Sequence, residues 1–289
     1  MLQHGEKMTL KILNTQLTDA LAECTFIDNP LTEARLILTE LLGKTTSEFL
    51  SMPPETHITR EIEKSAFSAV NSRKKGRSIA SILGFKDFYD LRFKVNDDVL
   101  IPRPETEFLI EYVLNLKKNN AKLKVLDVGA GSGTICVTIA KHRPHWDIDA
   151  LEISSKAVDI LKQNIDSAHV AVNILNHDFF EFKAAHNYNL ILSNPPYIPT
   201  EDAAVLLRHH DADDPIIALD GGSDGLIFYR ELRKFAQEYL DKDGLLIMEH
   251  GFDQKKAMHE IFGAVPFIVI ETLQDYAGLD RITAVRKVN

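Results

Sequence analysis

A few short stretches of this chain carry side chains suited to chemistry. Val125-Leu126-Asp127-Val128 runs straight into Gly129-Ala130-Gly131-Ser132-Gly133, a glycine turn between an apolar strand and a helix start. There the backbone can adopt positive φ and approach a ligand closely. The spacing is neither the Gly-x-Gly-x-x-Gly of a pyrophosphate site nor a P-loop, since no Lys-Ser/Thr follows. Glu152, at the end of the next strand, can accept both hydroxyls of a ribose. In His177-Asp178-Phe179-Phe180, after the third strand, Asp178 can take an adenine amino hydrogen and Phe179 sets an aromatic ring beside a base. Taken singly, Glu152 reads as an exposed strand-end acid and Phe179 as ordinary core. Their order at three successive strand ends points to a nucleoside cofactor at the carboxyl edge of a sheet, where open α/β sheets bind ligands. A fourth stretch, Ser193-Asn194-Pro195-Pro196-Tyr197, follows the apolar run Leu190-Ile191-Leu192. The proline pair stops a strand at once. A turn alone has no need of the asparagine or the tyrosine.

The elements that position these residues follow from periodicity. Apolar strands are predicted at Lys124 to Val128, Ile148 to Ile153, Val172 to Leu175, Leu190 to Ser193, Leu245 to Glu249 and Phe267 to Thr272, with helices such as Thr134 to His142 and Ser155 to Ala168 between them. Such alternation implies a mainly parallel sheet covered on both faces. A last strand, Arg281 to Lys287, follows after only a loop, too short for a parallel crossover, so it is expected to pair antiparallel. Before residue 80 only helical patterns occur, around Leu10 to Cys24, Asn29-Pro30 to Gly43 and Ile58 to Asn71. Aromatics alternate from Gly84 to Ile101, as in a β-hairpin joining two bodies. The expected division is a helical domain over 1–80, a hairpin linker over 81–103 and an α/β domain over 104–289.

Composition narrows the function classes. The 289 residues are 45% hydrophobic, enough for a sizeable core. No apolar run approaches the ~20 residues of a membrane helix, and Met1 to Leu10 holds no apolar leader core, so a cytoplasmic protein is expected. Cys24 and Cys136 are far apart and outside any Cys/His cluster, so they read as core thiols, with no metal site. The first 80 residues balance their charges, and the formal net charge of −9 therefore belongs to residues 81–289. An acidic body disfavours binding to nucleic acid phosphates. The basic run Arg73-Lys74-Lys75-Gly76-Arg77 reads as a solvated helix end.

The glycine loop with Glu152 resembles the S-adenosylmethionine site of class I methyltransferases, whose fold is a mostly parallel seven-stranded sheet with an antiparallel last strand. At this position Asn194-Pro195-Pro196-Tyr197 resembles their signature for methylating a planar nitrogen. An amide or exocyclic amine delocalises its lone pair, so the nitrogen must be aimed at the methyl carbon. The Asn194 side-chain carbonyl and the Pro195 main-chain carbonyl can each accept one N–H, and Tyr197 can pack on the planar group. Together with Ile101-Pro102-Arg103-Pro104-Glu105-Thr106-Glu107 before the first α/β helix, the tetrapeptide resembles the HemK/PrmC family, and the likeness extends through Leu245-Leu246-Ile247-Met248-Glu249-His250-Gly251. That resemblance implies transfer of methyl from S-adenosylmethionine to the side-chain amide of the glutamine in the Gly-Gly-Gln loop of class I release factors. It implies Gly129, Ala130, Gly131, Ser132, Gly133, Glu152, Asp178, Phe179 and Asn194 at the cofactor. It implies Asn194, Pro195, Pro196 and Tyr197 at the substrate, with the helical domain docking the release factor. The chain departs from the family pattern at Arg77-Ser78 and at Asp213-Asp214, neither of which touches the cofactor or amide chemistry. The competing readings are a DNA adenine-N6 methyltransferase, disfavoured by the acidic α/β half, and a non-catalytic adaptor, which has no chemical need of Asn194 or Glu152.

Overall fold

The computed structural model describes residues 7–116, 122–206 and 213–288; Met1–Glu6, part of the stretch read above for a leader, lies outside them. Two compact units emerge: Met1–Gly84 with Arg208–Asp213, and Phe85–Leu207 with Asp214–Asn289.

The first unit is helical: α1 (Leu10–Ala22), α2 (Pro30–Leu41), α3 (Thr46–Leu50), α4 (Arg60–Lys74) and α5 (Ile79–Leu83). Leu13, Leu17 and Leu21 fall on one face of α1 and are fully buried with Ile37 and Leu38 of α2 and Ala66 and Val70 of α4. Asn29 caps α2 by accepting the Thr32 N–H at 3.1 Å, and Pro30 takes the first helical position. α3 and α5, with five residues each, are too short to show a period in the sequence. The basic run is not the solvated helix end expected from the sequence. Arg73 is buried, not solvated, and pairs with Glu33 at 2.8 Å. Lys74 pairs with Glu23 at 2.6 Å. Cys24 is only half-buried, at the edge of this core, whereas Cys136 is buried. The two departures from the family pattern meet here: Asp213 accepts the Ser78 N–H at 2.6 Å and lies 3.9 Å from the Arg77 guanidinium.

The second unit opens with an antiparallel hairpin, β1 (Phe85–Phe88) and β2 (Leu91–Lys94). Phe88 and Phe93 are buried in the same core as Leu109, Ile110 and Val113 of α6 (Thr106–Leu114). There follow β3 (Lys124–Val128), α7 (Thr134–His142), β4 (Asp147–Glu152), α8 (Ser155–Ala168), β5 (Asn173–Asn176), β6 (Tyr188–Ser193) and α9 (Thr200–Leu206). The chain then runs through α10 (Ile227–Tyr239), β7 (Leu240–Glu249), α11 (Lys255–Phe262), β8 (Phe267–Gln274) and β9 (Asp280–Lys287). Among the described residues the sheet has seven strands in the order β5-β4-β3-β6-β7-β9-β8. β3 to β7 pair in parallel, and β9 pairs antiparallel with both β7 and β8. The expected antiparallel end is therefore present, with the last strand inserted between its two predecessors. β7 begins earlier than the apolar run Leu245 to Glu249, because the polar Asp241-Lys242-Asp243-Gly244 conceals its start.

From β3 the chain winds outward through β4 and β5, then returns to place β6 on the other side of β3. This reversal opens a crevice beyond the carboxyl ends of β3 and β6. The glycine loop follows β3 and Asn194 follows β6, so both border the crevice. Asn164 of α8 sews the hairpin to the loop: its Oδ1 accepts the Lys94 N–H at 2.7 Å, and its Nδ2 donates to the carbonyls of Lys94 (3.0 Å) and Ser132 (2.8 Å).

Candidate active site

The crevice holds a cavity of about 280 Å³ bordered by Gly129 and Gly131, Glu152, Asp178 with Phe179, and Asn194 to Pro196. Gly129 and Gly131 have φ of +74° and +55°, and a Cβ built on either meets nothing within 4 Å. The loop therefore presents bare backbone to open space, the cradle a ligand needs. Glu152 is buried and held from two sides: its Oε2 accepts the Gly131 N–H and its Oε1 the Ser154 N–H, each at 2.8 Å. A carboxylate oxygen has lone pairs to spare after one such bond, so Glu152 stays able to accept ligand hydroxyls while fixing the loop that faces them. Asp178 accepts the Phe180 N–H at 2.9 Å, which turns the chain around the cavity. Phe180 is 44% exposed, borders the cavity and meets Phe228 edge to face at 5.2 Å. It adds an aromatic wall beside Phe179, which is mostly committed to the core against Phe235.

The remaining loop residues named from sequence do not border the cavity. Ala130 and Ser132 are buried, and the Ser132 hydroxyl bonds Thr134 Oγ1 at 2.8 Å. Gly133 caps α7 with φ of +88°, and a Cβ there would collide with Leu161. Beneath them, buried Asp127 accepts the Cys136 N–H at 3.0 Å and so closes the loop onto α7; burial pushes its carboxyl up to about 7.

On the other side of the crevice the geometry is made by side chains. Asn194 Nδ2 donates to Thr106 Oγ1 at 3.1 Å, and Thr106 Oγ1 donates to Glu249 Oε2 at 2.6 Å. Thr106 and Glu249 are both buried. Burial is also what raises the Glu249 carboxyl to about 7, with Glu105 adding to it; the Thr106 bond, Arg281 and Asn194 pull the other way. The turn after Asn194 lies on a bed of glycines. A Cβ on Gly221 would come within 2.8 Å of Pro196 O, and one on Gly225 would strike Tyr197 O. Gln254 Nε2 donates to Tyr197 O at 2.9 Å. Tyr197 itself is half-buried against the core, does not border the cavity, and has its phenol held well above its usual range by burial and then by Glu249. Asp214, the other half of the second departure, is buried, accepts the Ile101 N–H at 2.9 Å and pairs with Arg103.

Thr106, Glu249, Gly221, Gly225 and Phe180 carry the site without having been singled out. Thr106 reads as a helix start in Pro104-Glu105-Thr106-Glu107. The one available signal for Glu249 was an acid closing the apolar strand Leu245 to Met248, in the register that places Glu152 at the end of β4. Among the described residues no group of His, Cys, Asp and Glu could hold a metal ion, and no helix is long and apolar enough to cross a membrane.

Residues 13–84 match the PrmC N-terminal domain family, and residues 104–210 match the Methyltransferase small domain family. A release factor glutamine methyltransferase of Coxiella burnetii is 35% identical over 282 residues, which is 97% of this chain and 98% of that protein. Another, of Neisseria gonorrhoeae, is 37% identical over 260 residues, or 88% and 92%. A solved methyltransferase from Pyrococcus furiosus has a TM-score of 0.51 at 16% identity, covering 76% of this chain and 96% of its own, which establishes the fold alone. With helical unit and α/β unit both matched, and whole-length relatives above 30% identity, the chain belongs to the PrmC/HemK family of release factor glutamine methyltransferases.

Proposed function

We infer that this chain transfers a methyl group from S-adenosylmethionine to the side-chain amide of the glutamine in the Gly-Gly-Gln motif of class I release factors. The residues present suit that donor: a carboxylate for ribose hydroxyls at Glu152, a carboxylate for an adenine amine at Asp178, aromatic walls from Phe179 and Phe180, and two open glycines. When bound, S-adenosylmethionine supplies an electrophilic methyl carbon on a sulfonium. What the chain must add is aim. The Asn194 amide group is tied to Thr106, which leaves its carbonyl oxygen as the acceptor for a substrate N–H, and the Pro195 carbonyl can take the other. Holding both hydrogens turns the nitrogen lone pair out of conjugation and toward the donor. Tyr197, half-buried against the core, stays neutral. No strong base is needed, because an alkylated amide nitrogen sheds its proton readily.

The observation that carries this reading is the placement of a tethered Asn194 at the rim of the donor cavity, one residue past β6. Labelled S-adenosylmethionine offered with a class I release factor and, separately, with unmethylated duplex DNA tests it. Label is expected in the release-factor glutamine; label in DNA alone contradicts it. The helical unit is assigned to docking the release factor. Residues from 85 onward should accordingly retain cofactor affinity yet methylate the intact release factor far more slowly than the full chain, and equal rates would remove the docking role.

A further inference from the structure

The identity of the amide-aiming residue leaves open what aims the aimer. A carboxamide has an oxygen and an NH2 of nearly the same shape, and only the oxygen can accept a substrate N–H. A flip of Asn194 by half a turn about its last torsion presents two donors to a substrate that is itself a donor. The contacts around Asn194 decide between these states.

We propose that Thr106 and Glu249 are positioning residues for methyl transfer, a donor-to-acceptor chain that locks the Asn194 carboxamide with its oxygen toward the substrate. The inference rests on the reading that Asn194 receives the substrate amide. An ionised Glu249 can only accept, so it commits the single Thr106 hydroxyl hydrogen, bonded to it at 2.6 Å. Thr106 Oγ1 then has only lone pairs to offer, and Asn194 must meet it with NH2, as found at 3.1 Å. All three side chains belong to separate elements, α6, β7 and the turn after β6, so the chain also fixes the turn against two rigid supports. Glu249 is itself anchored: its main-chain carbonyl accepts the Tyr229 hydroxyl at 2.9 Å, and its backbone lies opposite Ile282 in β9.

Protonation of Glu249 undoes the logic. A protonated carboxyl can donate to Thr106, which frees the hydroxyl hydrogen to bond the Asn194 oxygen and favours the flipped state. The groups around this carboxyl are Glu105 and Thr106 at the start of α6, Asn194 and Tyr197 from the turn after β6, Tyr229 from α10, and Arg281 from β9. Of these, Tyr197 and Tyr229 are pushed up by burial, so both are neutral across neutral pH. Glu249, near 7, is the one among them placed to change charge there.

The test is single-turnover methyl transfer to a release factor at saturating S-adenosylmethionine, with cofactor and release-factor affinities measured on the same proteins. Thr106→Val, which keeps shape and removes the hydroxyl, is expected to slow transfer about 10–10²-fold, the scale on which a misplaced contact costs rate. Both affinities should stay within about threefold, and Thr106→Ser should recover most of the rate. The wild-type rate is expected to rise with pH through about 7, and Glu249→Gln, which keeps an acceptor oxygen and cannot titrate, should lack that rise. Wild-type transfer by Thr106→Val, failure of Thr106→Ser to recover where Thr106→Val is slow, or an unchanged pH rise in Glu249→Gln each overturns the inference. Asn194→Ala serves as the control. If it is slow while the Thr106 and Glu249 variants are not, only the positioning chain falls; if it too transfers at the wild-type rate, the reading of the site falls with it.

Discussion

The two sides of the crevice are built by different means. On the donor side, ends of β3, β4 and β5, the chain uses its own backbone: open glycines, with N–H groups of Gly131 and Ser154 gripping Glu152. On the acceptor side, ends of β6 and β7, the grip passes between side chains drawn from residues 106, 194 and 249. A nucleoside donor is large and offers many contacts, so a cradle suffices. A single amide nitrogen must be aimed, and aim requires directional partners that stay in place through the reaction.

That contrast can be broken by single substitutions, the largest effect being expected on the acceptor side. Asn194→Ala removes the carbonyl that aims the amide, and turnover should fall roughly 10²–10³-fold, as when one preorganised polar contact is deleted. Release-factor affinity should change far less, since docking surface remote from the amide is untouched. Rapid-quench transfer alongside a release-factor titration separates the two; a loss confined to affinity would place Asn194 in docking.

Glu152→Ala should weaken S-adenosylmethionine binding by about 1.5–3 kcal/mol, the range for hydrogen bonds to a charged partner. Part of that loss comes through the loop, because the Gly131 and Ser154 N–H groups lose their acceptor. Calorimetric titration reads it directly, and an unchanged dissociation constant means the ribose is held elsewhere.

The smallest effect is a pair of glycine substitutions that divide the loop. Gly133→Ala should cost about 1–3 kcal/mol of stability, from positive φ and from crowding against Leu161. Gly129→Ala has open space for its methyl and should cost only the backbone strain, while obstructing the cradle. Thermal unfolding with and without cofactor distinguishes them. Equal loss of stability with equal loss of affinity would show that the loop does not divide into a packed half and a presented half.

The same contrast explains what could be read from the chain before its structure. The donor side was legible because its parts are local: a glycine turn within one βα step, an acid closing the next strand, an aspartate and aromatics after the third. Even there, spacing could not tell that Gly133 and Ser132 face inward while Gly129 and Gly131 face the cavity, since that depends on α8 packing beneath the loop through Asn164 and Leu161. The acceptor side was legible only as the tetrapeptide at 194–197. Its partners stand 88 and 55 positions from Asn194, at a helix start and a strand end that look ordinary alone. The burial of Arg73 is hidden from the sequence for the same reason, its partner Glu33 lying on another helix. Short helices and the polar start of β7 escaped because neither offers a full hydrophobic period.

The central claim is that the Asn194 carboxamide aims the reacting nitrogen, and Asn194→Asp examines it most directly. The variant keeps two acceptor oxygens and nearly the same shape, loses the NH2 that Thr106 receives, and sets a negative charge beside the donor sulfonium. Single-turnover transfer and cofactor affinity, measured together, should show cofactor bound at least as tightly as in wild type and methyl transfer slowed, because the positive charge that the carboxylate stabilises is dispersed in the transition state. Transfer to the release-factor glutamine at the wild-type rate would contradict the account and reduce the tetrapeptide to the turn that ends β6.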